Sequence, residues 1–562
     1  MHVQYLLGED ADVKGDLFET LSSDLGQQKR SAQFRTPRHL IRVIVEMVNP
    51  EIGRTVCDSA CGTGGFLIAA YQHILLANTS PELVREVAVP GGLTVKRGIG
   101  DRLSPSQWDF LQKHTLRVEK GEKYVLFLAA ALRSLKPGGR AGIVLPNGIV
   151  LYVLEDHDLP LVDVEVRLRA GRLYEPAEKA GLSIVFARAW RNGGTVARSP
   201  EAFHTAIEDM AAILDVADEG DTMSISLSTL ARDWRKGLSL LAELVRTPAF
   251  RKEQVNLAKA RTVEEIRRRN DDIAGIASRE FAGLVYGVNH PLGRLPSVQT
   301  VQKITRRDLL EWHRRLVTPR NLWIAVTGDV QRDAVLQEIR RLLGNWNGSQ
   351  PRLPVVPLPK ERNAVTGFIA KQAEQAHVRV GHLGVPRGVA ERAALDVLNY
   401  ILGGSFTSRL TQEIRDRRGL AYAVWSSFAP ANPVGLFVMG CQTKSESAEE
   451  VIRLMKEQAR RLTEEPPGQE ELQQAKESLV NSFVFRFPTA HDAVVAQMLL
   501  EIHGLPRDTY DTYIQRVEAV TAQDVLHAAR KYVHLDRLHV LVVGDGKKLV
   551  KLAAQAERLQ AR

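Results

Sequence analysis

The stretch ITRRDLLEWHRRLVTPRNLWIAVTGD, Ile304–Asp329, decides how this chain is read, because VTAQDVLHAARKYVHLDRLHVLVVGD at Val520–Asp545 repeats its design. Each copy opens with Thr-x-x-Asp, a helix start resembling a capping box, and each ends in an apolar strand closed by Gly-Asp. Thr305 and Thr521 are 216 positions apart, and so are Gly328 and Gly544. Further back, Ala258-Lys259 pairs with Ala475-Lys476 and Gly287 with Gly504, both at an offset of 217. Similarity held at a nearly fixed spacing marks an internal duplication. The expected architecture is therefore two homologous α+β halves, residues 147–350 and 360–548. The Pro-rich, polar segment Asn347–Arg362 lies at their junction. Residues 549–562 read as a polar C-terminal helix or tail.

Inside the halves, period and punctuation give the elements. NGIVLYVLEDHDLPLVDVEVRL, Asn147–Leu168, reads as two strands with a turn at Asp156–Pro160. Val162, Val164, Val166 and Leu168 alternate with Asp163, Glu165 and Arg167, the period of a half-buried strand. Leu238–Val245 and Val255–Arg269 read as amphipathic helices. In the second half Ser408–Arg418 reads as a helix with Gly419 as its cap, and Tyr422 stands at the start of a strand, AYAVWSSF.

Composition narrows the function classes. With 562 residues, 44% hydrophobic and 25% charged, the chain is a multi-domain globular protein rather than a disordered one. No run approaches the roughly 18 apolar residues of a membrane span, so no membrane partner is expected. The start, MHVQYLLGEDADVKGD, lacks the basic and apolar regions of a secretory signal, and three cysteines fit a reducing compartment. Both point to the cytoplasm. The net charge of +9 is spread along the chain, +3 over residues 1–146 and +6 over the rest. It reads as solvated surface rather than a nucleic-acid stripe. Cys57 and Cys61 lack a second pair and read as small buried residues, not zinc ligands.

In the first region, Thr55–Cys57 reads as a short strand running into DSACGTGGFLIAAYQHIL, which reads as a glycine-containing loop opening an apolar helix. AQFRTPRHLIRVIVEMVNP precedes it, and VLFLAAALRSLKPGGRAGIVLPNG follows later. Together these segments resemble the methylase subunit of type I restriction–modification systems, S-adenosylmethionine-dependent DNA adenine methyltransferases. The resemblance implies a partial Rossmann-like segment over residues 1–146, with DNA as a partner. It also implies cofactor contacts at Phe34, Thr36, Pro37, Asp58, Gly62 and Gly64. Ser59 replaces the family's Pro. The Asn-Pro-Pro-aromatic block that holds the flipped adenine is missing, since the chain's one Pro-Pro is Pro466-Pro467. The resemblance thus implies a defective methyltransferase.

The duplicated region resembles the insulinase/pitrilysin family of zinc peptidases. EDHDLPLVDVEVRLRAGRLYEPAEKAGL matches the family's opening hairpin and loop, PAFRKEQVNLAKARTVEEIRRRNDD its middle, and LGGSFTSRLTQEIRDRRGLAYAVWSSF its second half. The family's chemistry needs His-x-x-Glu-His on one helix, two imidazoles for zinc and a Glu to activate water. Here Ile184 and Arg188 stand at the histidine positions and Ala187 at the general base. Glu265, 77 positions beyond Arg188, matches the third ligand but alone reads as a helix-surface residue. No two of the 15 histidines are three or four apart, so no helical pair replaces the motif. By contrast Arg415 and Tyr422, seven apart, match the family's substrate and transition-state groups. The resemblance implies a non-catalytic subunit that pairs with a zinc-bearing family member as a heterodimer and takes an extended peptide substrate. The alternative from the first region is DNA methylation. Leu145–Gly148, LPNG, fits the end of one pattern and the start of the other, as a gene fusion would leave it.

Overall fold

In a computed structural model of the chain, residues 148–562 are described, together with the backbone of a strand at Ala141–Val144. These residues fall within one unit, Gln112–Arg562. The methylase-like cofactor residues Phe34, Thr36, Pro37, Asp58, Gly62 and Gly64 lie outside the described residues.

Two six-stranded sheets organise the described chain. The first holds β1 (Ala141–Val144), β2 (Val150–Glu155), β3 (Leu161–Leu168), β4 (Ile213–Asp218), β5 (Met223–Leu230) and β6 (Trp323–Gly328), in the order β1-β2-β6-β3-β5-β4. The main helices of this half are α1 (Leu182–Asn192), α2 (Pro200–Glu208), α3 (Trp234–Arg246), α4 (Lys252–Arg268), α5 (Ile273–Tyr286), α6 (Arg306–Leu316) and α7 (Arg332–Leu343). The second sheet holds β7 (Thr366–Ala370), β8 (Gln375–Leu383), β9 (Ala421–Ala429), β10 (Leu436–Lys444), β11 (His539–Gly544) and β12 (Glu557–Arg558), in the order β12-β7-β11-β8-β10-β9. Its main helices are α8 (Arg392–Asn399), α9 (Ala448–Glu464), α10 (Gln469–Ser482), α11 (Ala490–Ile502), α12 (Ala522–Tyr532) and α13 (Val550–Gln555).

Five strands of the two sheets correspond in order, β2-β6-β3-β5-β4 to β7-β11-β8-β10-β9, while the sixth differs, β1 being antiparallel to β2 and β12 parallel to β7; the repeated stretches supply α6–β6 and α12–β11. Both helices start with a complete capping box. The Thr305 hydroxyl accepts from the Asp308 N–H while the Asp308 carboxylate accepts from the Thr305 N–H, and Thr521 with Asp524 does the same. Each repeat strand is parallel to one neighbour and antiparallel to the other: β6 to β2 and β3, β11 to β7 and β8.

One local expectation changes. β2 and β3 do not pair with each other as a hairpin, because β6 lies between them. The segment from Asp156 to Pro160 crosses two inter-strand spacings, about 10 Å. All but the last residue of β6 are buried, and a central position suits such a strand better than an edge.

Each sheet packs its helices on one face. Val162, Val164, Val166 and Leu168 of β3 point into that core beside Phe186 and Trp190 of α1, as the alternation predicts. The opposite faces are covered by exchange. α5 lays Ile276, Phe281 and Val285 on Ile369, Leu541 and Val543 of the second sheet. α11 lays Val494, Met498 and Ile502 on Leu154, Trp323 and Ala325 of the first. The exchanged helices are themselves duplicates, ending at Gly287 and close to Gly504, both with positive φ.

The C-terminal segment is more than a tail. After α13, β12 pairs in parallel with β7, and Arg562 returns to the first half, where its Nε lies 2.7 Å from Glu280 on α5. Among the described residues, no helix is long and apolar enough to cross a membrane.

Candidate functional site

α1 starts after Gly181, which takes φ 97°, a left-handed conformation that suits glycine. The buried Glu175 carboxylate fixes that start by accepting from the Gly181 N–H at 2.9 Å and the Ser183 N–H at 3.1 Å. Burial pushes its carboxyl up to about 7 despite those bonds. Ile184 and Arg188 then lie one turn apart on the helix, with Ala187 buried beside them.

Arg188 reaches α4. Its Nη2 lies 2.6 Å from each oxygen of Glu265, and Nη1 donates to Thr262 Oγ1 at 2.9 Å. Glu265 lies exposed on α4 and is ion-paired there. Its carboxylate is largely exposed, yet both oxygens are engaged by one guanidinium. A guanidinium has five donors and no acceptor, so it cannot ligate a metal. Ile184 and Ala187 have no ligating atom either. The residues present do not fit zinc: one carboxylate remains, and a fixed cation already occupies it. Among the described residues no group of three or more His, Cys, Asp or Glu is placed to hold a metal ion. Thr262 was missed from sequence, and the opposite charges of Arg188 and Glu265 were the available signal for the pair.

The second cluster lies on the C-terminal half. The expected helix around Arg415 is wound with π geometry at Thr411–Asp416, and a second π segment, Tyr400–Gly404, follows α8. Such segments are rare and recur at functional sites. Gly419, with φ 63°, ends the first of them, its N–H bonded to the Arg415 carbonyl. Gly403 packs so closely on β9 that a Cβ there would sit 2.6 Å from the Ser426 nitrogen. This contact requires glycine and fixes the following loop against the edge strand.

That loop carries Phe406, and β9 carries Tyr422. The Arg415 guanidinium lies 5.5 Å from the Phe406 ring and 5.8 Å from the Tyr422 ring, within cation–π range of both. The rings are 81% and 88% exposed, unusual for aromatics that serve only packing. Asp416 is the nearest carboxylate to Arg415, at 3.7 Å. The structure therefore brings Arg415 and Tyr422 together on an open surface and adds Phe406, which the sequence did not single out. Arg415 offers directional donors to a carbonyl or carboxylate, and the Tyr422 phenol can donate to an oxyanion.

Comparison with known proteins follows the same division. Residues 152–277 match the model for Insulinase (Peptidase family M16), residues 303–479 that for the Peptidase M16 inactive domain, and residues 9–84 that for N-6 DNA Methylase. A zinc protease of Mycobacterium leprae, described as uncharacterized, is 30% identical over 323 residues, covering 55% of this chain and 68% of that protein. The non-peptidase homolog YmxG of Helicobacter pylori is 24% identical over 404 residues, covering 70% of this chain and 91% of its own length. Among solved structures, a peptidase M16 inactive domain from Pseudomonas fluorescens superposes with a TM-score of 0.65 at 24% identity, covering 72% of this chain and 98% of that one. A protease from Helicobacter pylori gives 0.63 at 18% identity, covering 72% and 99%. At these identities the structural likeness establishes the fold.

Proposed function

Since the chain belongs to the insulinase family of M16 peptidases, and lacks that family's zinc motif, we propose that it serves as the non-catalytic member of a two-chain peptidase. A zinc-bearing family member supplies metal and base, and this chain supplies Arg415 and Tyr422 to an extended peptide. The observation that carries this reading is the contrast between the two clusters. The metal end is closed by the Arg188–Glu265 pair, while Arg415 and Tyr422 stay exposed beside each other. The peptide adds by main-chain pairing along a strand edge, which tolerates many sequences.

The test mixes this chain with a zinc-motif partner of the same family and follows peptide cleavage alongside complex formation by size-exclusion chromatography. Tyr422→Phe removes one hydroxyl from an exposed side chain, and Arg415→Ala truncates a partly exposed one, so both should fold. Loss of one oxyanion-type donor costs about 10²–10³ in turnover. Each variant is expected to lower kcat of the mixed complex by about that factor with association unchanged. Full activity in both variants would show that the two residues are structural.

A further inference from the structure

On the outer, helical side of the N-terminal half, and sharing no residue with either cluster above, α2, α3 and α7 enclose a cleft of about 390 Å³. Its polar lining is Arg198, Arg235, Lys236, Ser239, Glu338 and Arg341, and Leu240 and Ala206 supply apolar surface. Four cations thus face one carboxylate. That carboxylate is already engaged: Arg341 contacts Glu338 at 2.5 Å, and with Arg235 it holds the acid below its ordinary range.

The guanidiniums are exposed, and each has a neighbour. Arg198 is tied to Glu243 at 3.1 Å, Arg341 to Glu338, and Arg235 stacks over the Trp234 ring at 4.5 Å. Lys236 has no carboxylate partner among the described residues, and Arg235 meets Glu338 only through its longer-range field. The duplication makes this arrangement more telling. α3 and α9 are corresponding helices, each following the strand next to the sheet's edge. The first turn of α9 carries Glu449 and Glu450, the charge a helix start favours, whereas that of α3 carries Arg235 and Lys236 and has no acid. Cations in this turn oppose the helix dipole, and the acid at the helix start is the N-cap Asp233.

We propose that this cleft binds a small phosphoryl-bearing anion. Planar guanidinium forks and an ammonium on three separate walls, with the Ser239 hydroxyl between them, match the several oxygens of a phosphate or diphosphate. The volume is in the range of small-ligand sites. The apolar floor leaves room for a nucleoside or another organic group beyond the phosphates.

Isothermal titration of the full chain with pyrophosphate and, separately, with ATP tests this. At least one should bind saturably, more weakly as salt rises. Arg235→Gln/Lys236→Gln should reduce that affinity tenfold or more while the melting temperature is kept or raised. Arg453→Gln/Arg460→Gln on α9 removes the same charge elsewhere and should leave the affinity unchanged. Binding of pyrophosphate assigns recognition to the phosphoryl groups alone, and binding of ATP alone assigns it to a nucleotide. Binding by neither, or equal binding in the Arg235/Lys236 variant, overturns the proposal. So does a duplex oligonucleotide that binds in a variant-sensitive way while both small anions fail, because the surface would then be a nucleic-acid face.

Discussion

Arg188 is a cation standing beside the one carboxylate that the family's metal would use. Its two 2.6 Å contacts to Glu265 neutralise that acid without any ion, so this corner keeps its charge balance in the absence of zinc. Exposed pairs of this kind contribute about 0–1 kcal/mol, so the pair closes the site without being essential to the fold. The scaffold for a metal is otherwise in place: positions 184 and 188 are one turn apart on α1, and α4 presents Glu265 toward Arg188. Ile184→His/Arg188→His should therefore restore a three-ligand set with Glu265, and the double variant is expected to retain about one zinc per chain after dialysis. Arg188→His alone, with two ligands, should retain none. The measurement is metal analysis by mass spectrometry, with circular dichroism to establish folding. A folded double variant without zinc would mean that α1 and α4 are set too far apart for coordination.

At the scale of elements, sequence was most informative where local chemistry is self-contained. The Thr-x-x-Asp boxes were readable because a cap is built from residues three apart, and both formed. The β3 alternation was readable because burial on one face imposes period two. The insertion of β6 between β2 and β3 was not, since pairing order is decided by contacts more than 150 residues away. Nor was the π winding of Thr411–Asp416 before Gly419, whose residue types read as an ordinary helix. In the site, Arg415 and Tyr422 were legible through a family spacing, but the approach of Phe406 required the loop. A second non-local device joins β8 to the loop before β11. His382 donates from Nδ1 to the Leu383 carbonyl and accepts at Nε2 from the His534 N–H, so its neutral form is required on both sides. Burial pushes this imidazole down to about 4, with His534, Arg537 and His539 adding like charge. A lowered histidine pKa contributes stability that is present above about 6.5 and lost as pH falls through about 4. The full shift is worth about 3 kcal/mol. His313, also pushed down to about 4, acts in the same window, whereas Glu165 and Glu175, raised to about 7, act with the opposite sign. A difference measurement isolates His382. The stability of the parent minus that of His382→Gln, from urea melts between pH 7.5 and 4, should shrink on acidification by up to that amount. A pH-independent difference would show that His382 does not titrate in this range.

At the scale of the whole molecule, the exchange of α5 and α11 decides how the halves depend on each other. Each half covers the outer face of the other's sheet with a helix from its own chain segment, so neither sheet is finished alone. Six large side chains do most of this, Ile276, Phe281 and Val285 from α5 and Val494, Met498 and Ile502 from α11. At about 1.5–3 kcal/mol each they represent about 9–18 kcal/mol as an upper bound. A typical domain has only about 5–15 kcal/mol of net stability in total. Polar contacts fix the docking. Tyr152 donates to Glu501 at 2.7 Å, Arg169 Nε donates to the Ile502 carbonyl at 3.0 Å, and Arg562 binds Glu280. Tyr152 is half-buried, and that burial together with Glu501 pushes its phenol well above the ordinary range, so it stays a donor. The magnitudes favour interdependence over two autonomous domains, even though each half has its own sheet and core. Residues 148–350 and 351–562 produced separately are therefore expected to expose apolar surface, bind a hydrophobic dye and lack a cooperative melt. Co-production should yield a complex that melts in one transition. Calorimetry of the intact 148–562 region should likewise give one transition whose calorimetric and van't Hoff enthalpies agree. A half that melts cooperatively as a monomer would mean that the exchanged helices dock onto domains already stable without them.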